Sequence, residues 1–283
     1  MQFRDAWNNF VLANIQSATG FSSIVAAEEL SGGRFANWHR VTLPELAVGM
    51  NYELFIEVAI GAWHHPYKTL FLQWTRESAN LALADPRFSI RSENSRNGWK
   101  NPGIFPGNHG VVLAISSLAE AIERNSDPGV LKLVEAADEI KDCGLQMKGE
   151  DWNTYIAQGG YLRAIQLFMI AGKADLARSA LQTRRNFKYV NAHRQWLVNV
   201  LNFIAPGAQF HQATAEQTML FDSQFDVIRN PAFKTAPPND LSDKHLGQDL
   251  MQMRLDLAII RQRYIVGQPI SGNWETIFSS ISR

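Results

Sequence analysis

Residues 160–181 read GYLRAIQLFMIAGKADLARSAL, and this segment has the clearest architectural pattern in the chain. Apolar residues recur at spacings of three and four on both sides of Gly172, a pattern typical of two amphipathic helices joined by a turn. Glycine suits such a turn because it readily adopts the left-handed conformation that ends many helices. The segment therefore predicts an αα-hairpin. Its close-packing and apolar residues are Ala164, Ala171, Ala177 and Ala180, and Leu162, Leu167, Phe168, Leu176 and Leu181.

The same helical spacing dominates the rest of the chain, and the alternation typical of strands is almost absent. The predicted fold is all-α, an irregular helical bundle or a stack of αα-hairpins with about ten helices. Asp127 is predicted to cap the helix that starts at Pro128. The predicted helices cover residues 3–15, 44–64, 66–83, 108–124, 128–142, 155–171, 174–183, 190–204, 213–228 and 241–264, followed by a short helix around Trp274.

The segment 85–107 is rich in proline and glycine and cannot form one helix. Loops of this length inside a compact domain tend to be functional or disordered, and four large apolar residues favour an ordered loop here. We expect one domain over residues 1–283, with a soft division near this loop.

Composition and charge exclude several classes of protein. The chain has 283 residues, with 27 Lys and Arg against 27 Asp and Glu, so its formal net charge is zero. Proteins that coat nucleic acids usually carry a basic excess, so direct nucleic-acid binding is not expected. No signal-peptide core and no apolar run of spanning length are present, and Cys143 is the single cysteine. These features favour a cytoplasmic protein without membrane contact.

The motifs of several enzyme classes are absent: the chain has no phosphate-binding loop, no dinucleotide fingerprint, no HExxH and no GxSxG. Cys143 follows Asp138, Glu139 and Asp142, whose negative charge raises a thiol pKa and disfavours a nucleophile. We therefore predict a protein that is not an enzyme and needs no cofactor or metal.

One stripe of polar residues keeps a catalytic alternative open. Glu53, Glu57 and His64 fall on one face of an otherwise apolar helix, with His65 adjacent. Two carboxylates and an imidazole could hold a metal or act as acid and base in a helical hydrolase. The favoured interpretation is a solvated stripe with His64 at the negative end of the helix dipole, because no second helix has the ligand spacing of a di-metal bundle.

Charge is distributed unevenly along the chain. Residues 120–151 contain nine acidic and four basic side chains, whereas residues 176–215 contain five basic side chains and no carboxylate side chain. An acidic surface steers and orients a basic partner. Alternatively, the two regions neutralise each other across packed helices, or both are solvated faces.

Two resemblances rest on the hairpin. Residues 160–181 resemble a tetratricopeptide-type hairpin, although no 34-residue period extends over the rest of the chain. Tyr161-Leu-Arg-Ala, the Gly172-Lys-Ala-Asp turn and the aromatic helix beginning Arg194-Gln-Trp-Leu also resemble all-helical immunity proteins that neutralise bacterial polymorphic toxins. This resemblance implies a cytoplasmic binding protein that occludes a toxin domain, and it supplies no catalytic residue.

The resulting prediction is a non-enzymatic immunity protein that binds a cognate toxin or effector domain with a basic surface and occludes its active site. The alternative is a helical-repeat adaptor that binds a peptide or protein partner. Tryptophans near helix ends or in loops are expected at interfaces. The predicted partner-binding residues are Glu135, Asp138, Glu139, Asp142, Trp99, Phe105 and Trp152.

Overall fold

The computed structural model describes residues 108–153, 155–204, 214–226 and 253–281, together with five separate positions between 72 and 83. Every regular element in these residues is a helix, so the all-α prediction is confirmed for this part of the chain. None of the helices described there is both long and apolar enough to cross a membrane. The chain divides into two compact units, Met1–Arg124 (unit 1) and Asn125–Arg283 (unit 2).

Unit 1 contributes α1 and the helical positions between 72 and 83, and α2 to α8 belong to unit 2. The described ranges thus contain eight numbered helices, and the π-helical turn Gln262–Val266 is counted as the end of α7. The bounds are Asn108–Glu123 for α1, Val130–Gln146 for α2, Tyr155–Ile170 for α3, Ala174–Thr183 for α4, Asn191–Ile204 for α5, Ala215–Phe225 for α6, 253–261 for α7 and Trp274–Ile281 for α8.

Four helices, α1, α3, α4 and α5, agree with their predicted bounds to within one residue. Helix α2 begins and ends later than expected, and α6 begins two residues later and ends three residues earlier. Residues 241–252 of the predicted helix 241–264 lie outside the described residues. The predicted helices over 3–15 and 44–64 and the loop 85–107 lie outside the described residues, so the single domain and its division near that loop remain predictions. The described positions between 72 and 83 are all helical. Within unit 1, Arg76 Nε lies 2.6 Å from Glu123 Oε2, and this ion pair ties the predicted helix 66–83 to α1.

The hairpin α3–α4 forms as predicted and closes with a Schellman turn. Gly172 has φ of +76°, its N–H donates to Met169 O at 2.9 Å, and the Lys173 N–H donates to Phe168 O at 2.8 Å. These two bonds satisfy carbonyls that the end of α3 leaves open. The predicted apolar residues are buried with one exception, Leu176, which is 43 % exposed.

The α2 cap is a correction to the prediction. The helix starts at Val130 with Gly129 at the N-cap, and no side chain caps it. Asp127 instead accepts hydrogen bonds from the backbone N–H groups of Ile270 at 2.7 Å and Ser271 at 3.1 Å. The carboxylate therefore satisfies loop N–H groups next to α8 rather than the helix that follows it in sequence.

Neighbouring residues strengthen this connection between the start of unit 2 and the loop before α8. Asn125 Oδ1 accepts a hydrogen bond from Gly272 N at 3.0 Å, and Trp274 Nε1 donates to Ser126 O at 2.9 Å. Trp274 is 2 % exposed. The last described helix is thus held by polar bonds as well as by burial of its apolar face.

Two Asp–Arg pairs join α7 to other helices of unit 2. Asp256 on α7 is fully buried and pairs with Arg163 on α3. Arg261, also on α7, binds Asp222 on α6 through two hydrogen bonds of 2.6 and 2.9 Å. The second pair is much more exposed, with 48 % of the Asp222 side chain accessible. The two pairs share their chemistry and differ mainly in burial.

Helices α2 and α3 approach one another closely at Gly144. A β-carbon at this position would lie 2.6 Å from Cδ2 of Tyr161. The Tyr161 ring is fixed, because its hydroxyl donates to Ala180 O at 2.7 Å and the ring packs against Trp152 and Phe187. Glycine at 144 is therefore required by packing.

We expect Gly144→Ala to lower the free energy of unfolding by about 1–2 kcal/mol, because the cost of overpacking exceeds the gain in helix propensity. Gly160→Ala on α3 is the matched control, since a β-carbon there meets no atom within 4 Å. It should instead stabilise the protein by about 0.5–1 kcal/mol. Urea unfolding of both variants measures the difference, and a stabilised Gly144→Ala variant would show that Tyr161 moves freely.

Candidate functional site

The predicted acidic residues form one stripe along α2. Glu135, Asp138, Glu139 and Asp142 are spaced i, i+3, i+4 and i+7, which places them on one side of the helix. Glu135 and Asp142 are exposed, and the other two are half-buried. The face of α2 that packs against the rest of unit 2 consists of Leu133, Ala136, Ala137, Ile140 and Gly144. We call the four carboxylates the acidic stripe.

One lysine reduces the charge of this stripe. Lys141 Nζ lies 2.5 Å from Asp138 Oδ1 and 3.6 Å from Asp142 Oδ1. The remaining five acids of the segment 120–151 lie outside α2. Glu120 and Glu123 pair with arginines inside unit 1, Asp127 binds backbone N–H groups, and Glu150 and Asp151 follow the helix. The acidic stripe therefore contains every carboxylate side chain of α2.

Leu131 extends the stripe with an apolar side chain. It is not among the predicted partner-binding residues. It precedes Glu135 by four residues, so it lies on the same side of α2, and it is 85 % exposed. This position could have been found from the sequence, because the spacing of Leu131 fits the acidic residues rather than the apolar residues of the buried face. An apolar side chain can complement charged groups at an interface, because the core of an interface is more apolar than its rim.

The structure also corrects the predicted location of Trp152. It was predicted at an interface, but it is 4 % exposed and lies in the core of unit 2. Its indole Nε1 donates to Asn186 O at 2.7 Å, its ring meets Tyr161 and Phe187 edge-on at centroid distances of 5.6 Å, and the Arg184 guanidinium lies 3.9 Å above it. Trp152 is therefore not available as a surface contact.

The pKa values of four ionisable side chains of unit 2 are shifted further from pH 7. Burial, with smaller contributions from Glu139 and Asp142, raises the pKa of Cys143 to about 12. Burial also raises the pKa values of Tyr161 and Tyr264 to about 12. Burial and the nearby charge of Arg163 lower the pKa of His193 to about 3. General acids and bases need pKa values near the working pH, and these groups are shifted away from it.

The carboxylate-free segment 176–215 is not neutralised by ion pairs within the described residues. Arg184 donates instead to the backbone carbonyls of Gly144 and Met147 at the end of α2. There it meets the negative end of the helix dipole rather than a carboxylate. The other four cations, Arg178, Arg185, Lys188 and Arg194, likewise form no salt bridge to a described carboxylate.

The remaining candidates lie outside the described residues. These are the aromatic residues Trp99 and Phe105 and the polar stripe Glu53, Glu57 and His64. Among the residues that are described, no group of three or more His, Cys, Asp or Glu side chains could hold a metal ion.

Comparisons with models of protein families, with curated proteins and with solved structures each find no match to this chain. The sequence pattern and the geometry of unit 2 are therefore the grounds for a functional assignment.

Proposed function

We propose that the chain is a non-enzymatic binding protein, a cytoplasmic immunity protein that neutralises a cognate bacterial toxin by binding it directly and occluding its active site. Its fold is an irregular stack of αα-hairpins with about ten helices. The observation that carries the proposal is the acidic stripe of α2, with Glu135 and Asp142 exposed. The partner is a toxin or effector domain with a basic surface.

Charge complementarity supports this choice of partner. The stripe has four carboxylates in two turns of helix, and Lys141 offsets one of them. Toxin domains that act on nucleic acids need basic surfaces to hold phosphates. A carboxylate stripe can occupy such a surface in place of the substrate and accelerate the encounter.

Leu131 supplies the apolar contact that a charged surface alone lacks. Charged groups at the rim of an interface mainly affect association rate and specificity, whereas buried apolar anchors slow dissociation. The same side of α2 offers both kinds of group.

The decisive experiment is co-expression with the product of the adjacent gene, because immunity proteins are encoded beside their toxins. We expect the two proteins to co-purify and the chain to protect cells from the neighbour's toxicity. Absence of both complex and protection would refute the toxin-neutralising role.

A charge-reversal pair tests the acidic stripe within that complex. Glu135→Lys combined with Asp142→Lys should lower the association rate constant by about tenfold or more at low salt, because steering by the stripe is lost. The matched control is Glu150→Lys combined with Asp151→Lys, which makes the same change of charge at exposed positions after α2. Stopped-flow association at two salt concentrations distinguishes them. Equal effects of both pairs would mean that only net charge matters.

A helical-repeat adaptor is the second candidate, and the Schellman-closed hairpin α3–α4 followed by α5 favours it. Consecutive antiparallel helices of this kind can form a concave surface for a peptide. Peptide capture without any toxin gene beside the coding sequence would favour the adaptor over the immunity protein.

A further inference from the structure

A cleft between α4 and α5 carries positive charge that the proposed function does not use. Its volume is about 360 Å³. On the α4 side it is lined by Arg178, Leu181 and Gln182, spaced i, i+3 and i+4, and by Arg185 just after the helix. Such spacing places the helical residues on one side of α4.

The α5 side of the cleft is also lined by one arginine, apolar residues and an amide side chain. It is lined by Arg194, Val198, Leu201 and Asn202, spaced i, i+4, i+7 and i+8. Leu181 and Leu201 are 5 % and 1 % exposed, so the cleft has buried apolar residues on both helices. The cleft therefore combines apolar lining with cationic and amide groups.

The three arginines differ in how firmly they are held. Arg178 donates to Leu201 O at 2.8 Å and to Asn202 Oδ1 at 3.3 Å, so its guanidinium is fixed against the last turn of α5. Arg194 lies over the Phe187 ring at 5.9 Å, and its Nε is a buried donor with no acceptor among the described residues. Arg185 is exposed and makes one long bond of 3.4 Å to Gln182 O.

We propose that this cleft binds a small phosphomonoester whose phosphate is carried on an apolar group. Guanidinium groups match phosphate oxygens with paired, charge-assisted hydrogen bonds. The phosphate would be held by Arg185 and Arg194 within the field of Arg178, and the apolar group would contact Val198, the half-buried apolar residue of the lining. This site shares no residue with the acidic stripe, and it does not depend on the toxin-binding proposal.

Charge and size select this ligand class. Three arginines line the cleft without a salt bridge to a described carboxylate, and a phosphomonoester carries close to two negative charges at pH 7. A single carboxylate would leave two of the three positive charges uncompensated. The volume lies at the lower end of the range for small-molecule sites, which is about 300–1,000 Å³. A compact ligand is therefore favoured.

Phenyl phosphate is the probe, because it combines a phosphomonoester with one apolar ring. Titration calorimetry and phosphorus NMR on the full chain should detect binding at constant ionic strength. Benzoate and inorganic phosphate, which each lack one of the two features, should bind at least about tenfold more weakly. Absence of phenyl phosphate binding, or equal binding of benzoate, would overturn the proposal.

Three variants localise the binding. Arg194→Gln and the exposed Arg185→Gln should each weaken phenyl phosphate binding by about tenfold or more, since a charge-assisted contact is lost. Lys188→Gln removes the same charge from an exposed position of the same segment that does not line the cleft, and it should leave binding unchanged. Circular dichroism checks that each variant is folded. An equal loss in Lys188→Gln, or no loss in folded Arg185→Gln and Arg194→Gln, would show that the cleft is not the site.

Discussion

Asp256→Asn is expected to lower the free energy of unfolding by about 3–5 kcal/mol, the cost of breaking a buried ion pair by removing one partner. Asp256 is fully buried and pairs with Arg163 across α3 and α7. Asparagine preserves the shape of the side chain, so the loss reflects the uncompensated Arg163 guanidinium rather than a cavity. Native domains are stable by only about 5–15 kcal/mol, so urea unfolding should show a large shift of the midpoint.

Asp222→Asn is the matched control for this experiment. It removes the same charge from an Asp–Arg pair that also involves α7, but the Asp222 side chain is 48 % exposed. Water screens such a pair, and the expected loss is about 0–1 kcal/mol. If both substitutions cost the same, burial of Asp256 would not govern the energy of its pair.

Trp152→Ala should lower the free energy of unfolding by about 3–5 kcal/mol, because it removes a buried aromatic side chain and leaves a cavity. The indole contacts Tyr161, Phe187 and Arg184 and donates to Asn186 O. Trp152→Phe separates these contributions: it keeps a ring in the cluster, removes the hydrogen bond, and should cost less than the alanine variant.

The same two variants also test whether Trp152 is a core residue or the interface residue that the sequence predicts. A tryptophan at an interface would affect partner binding and leave stability nearly unchanged, as Leu131→Ala should do at a position that is 85 % exposed. Chemical denaturation of Trp152→Ala, Trp152→Phe and Leu131→Ala therefore distinguishes a core role from a surface role. Unchanged stability in Trp152→Ala would restore the interface prediction.

The helices of unit 2 could be predicted because each has an apolar face with local periodicity. The hairpin turn was equally local, since the N–H groups of Gly172 and Lys173 bind carbonyls that lie three and five residues earlier. The acidic stripe was also visible in sequence, because spacings of three and four on one helix determine which side chains are neighbours.

Contacts between distant parts of the chain were not predictable in this way. Asp127 precedes a helix and has a side chain typical of an N-cap residue. Its carboxylate instead accepts hydrogen bonds from backbone N–H groups more than 140 residues later in the chain. Trp152 follows α2 in a short connection, and it packs against Phe187 and Arg184, which come from the distant α4–α5 connection. The cleft between α4 and α5 required knowledge of which sides of two helices face one another.

The contacts of Asn125, Ser126 and Asp127 with the loop before α8 also constrain how the protein is made. These hydrogen bonds join residues separated by 143 to 148 positions. A ribosome releases the chain from its N-terminus, so the first residues of unit 2 emerge long before their partners. The hairpin α3–α4 can form during synthesis from local contacts, whereas unit 2 completes its native bonding only after residue 274 has left the ribosome.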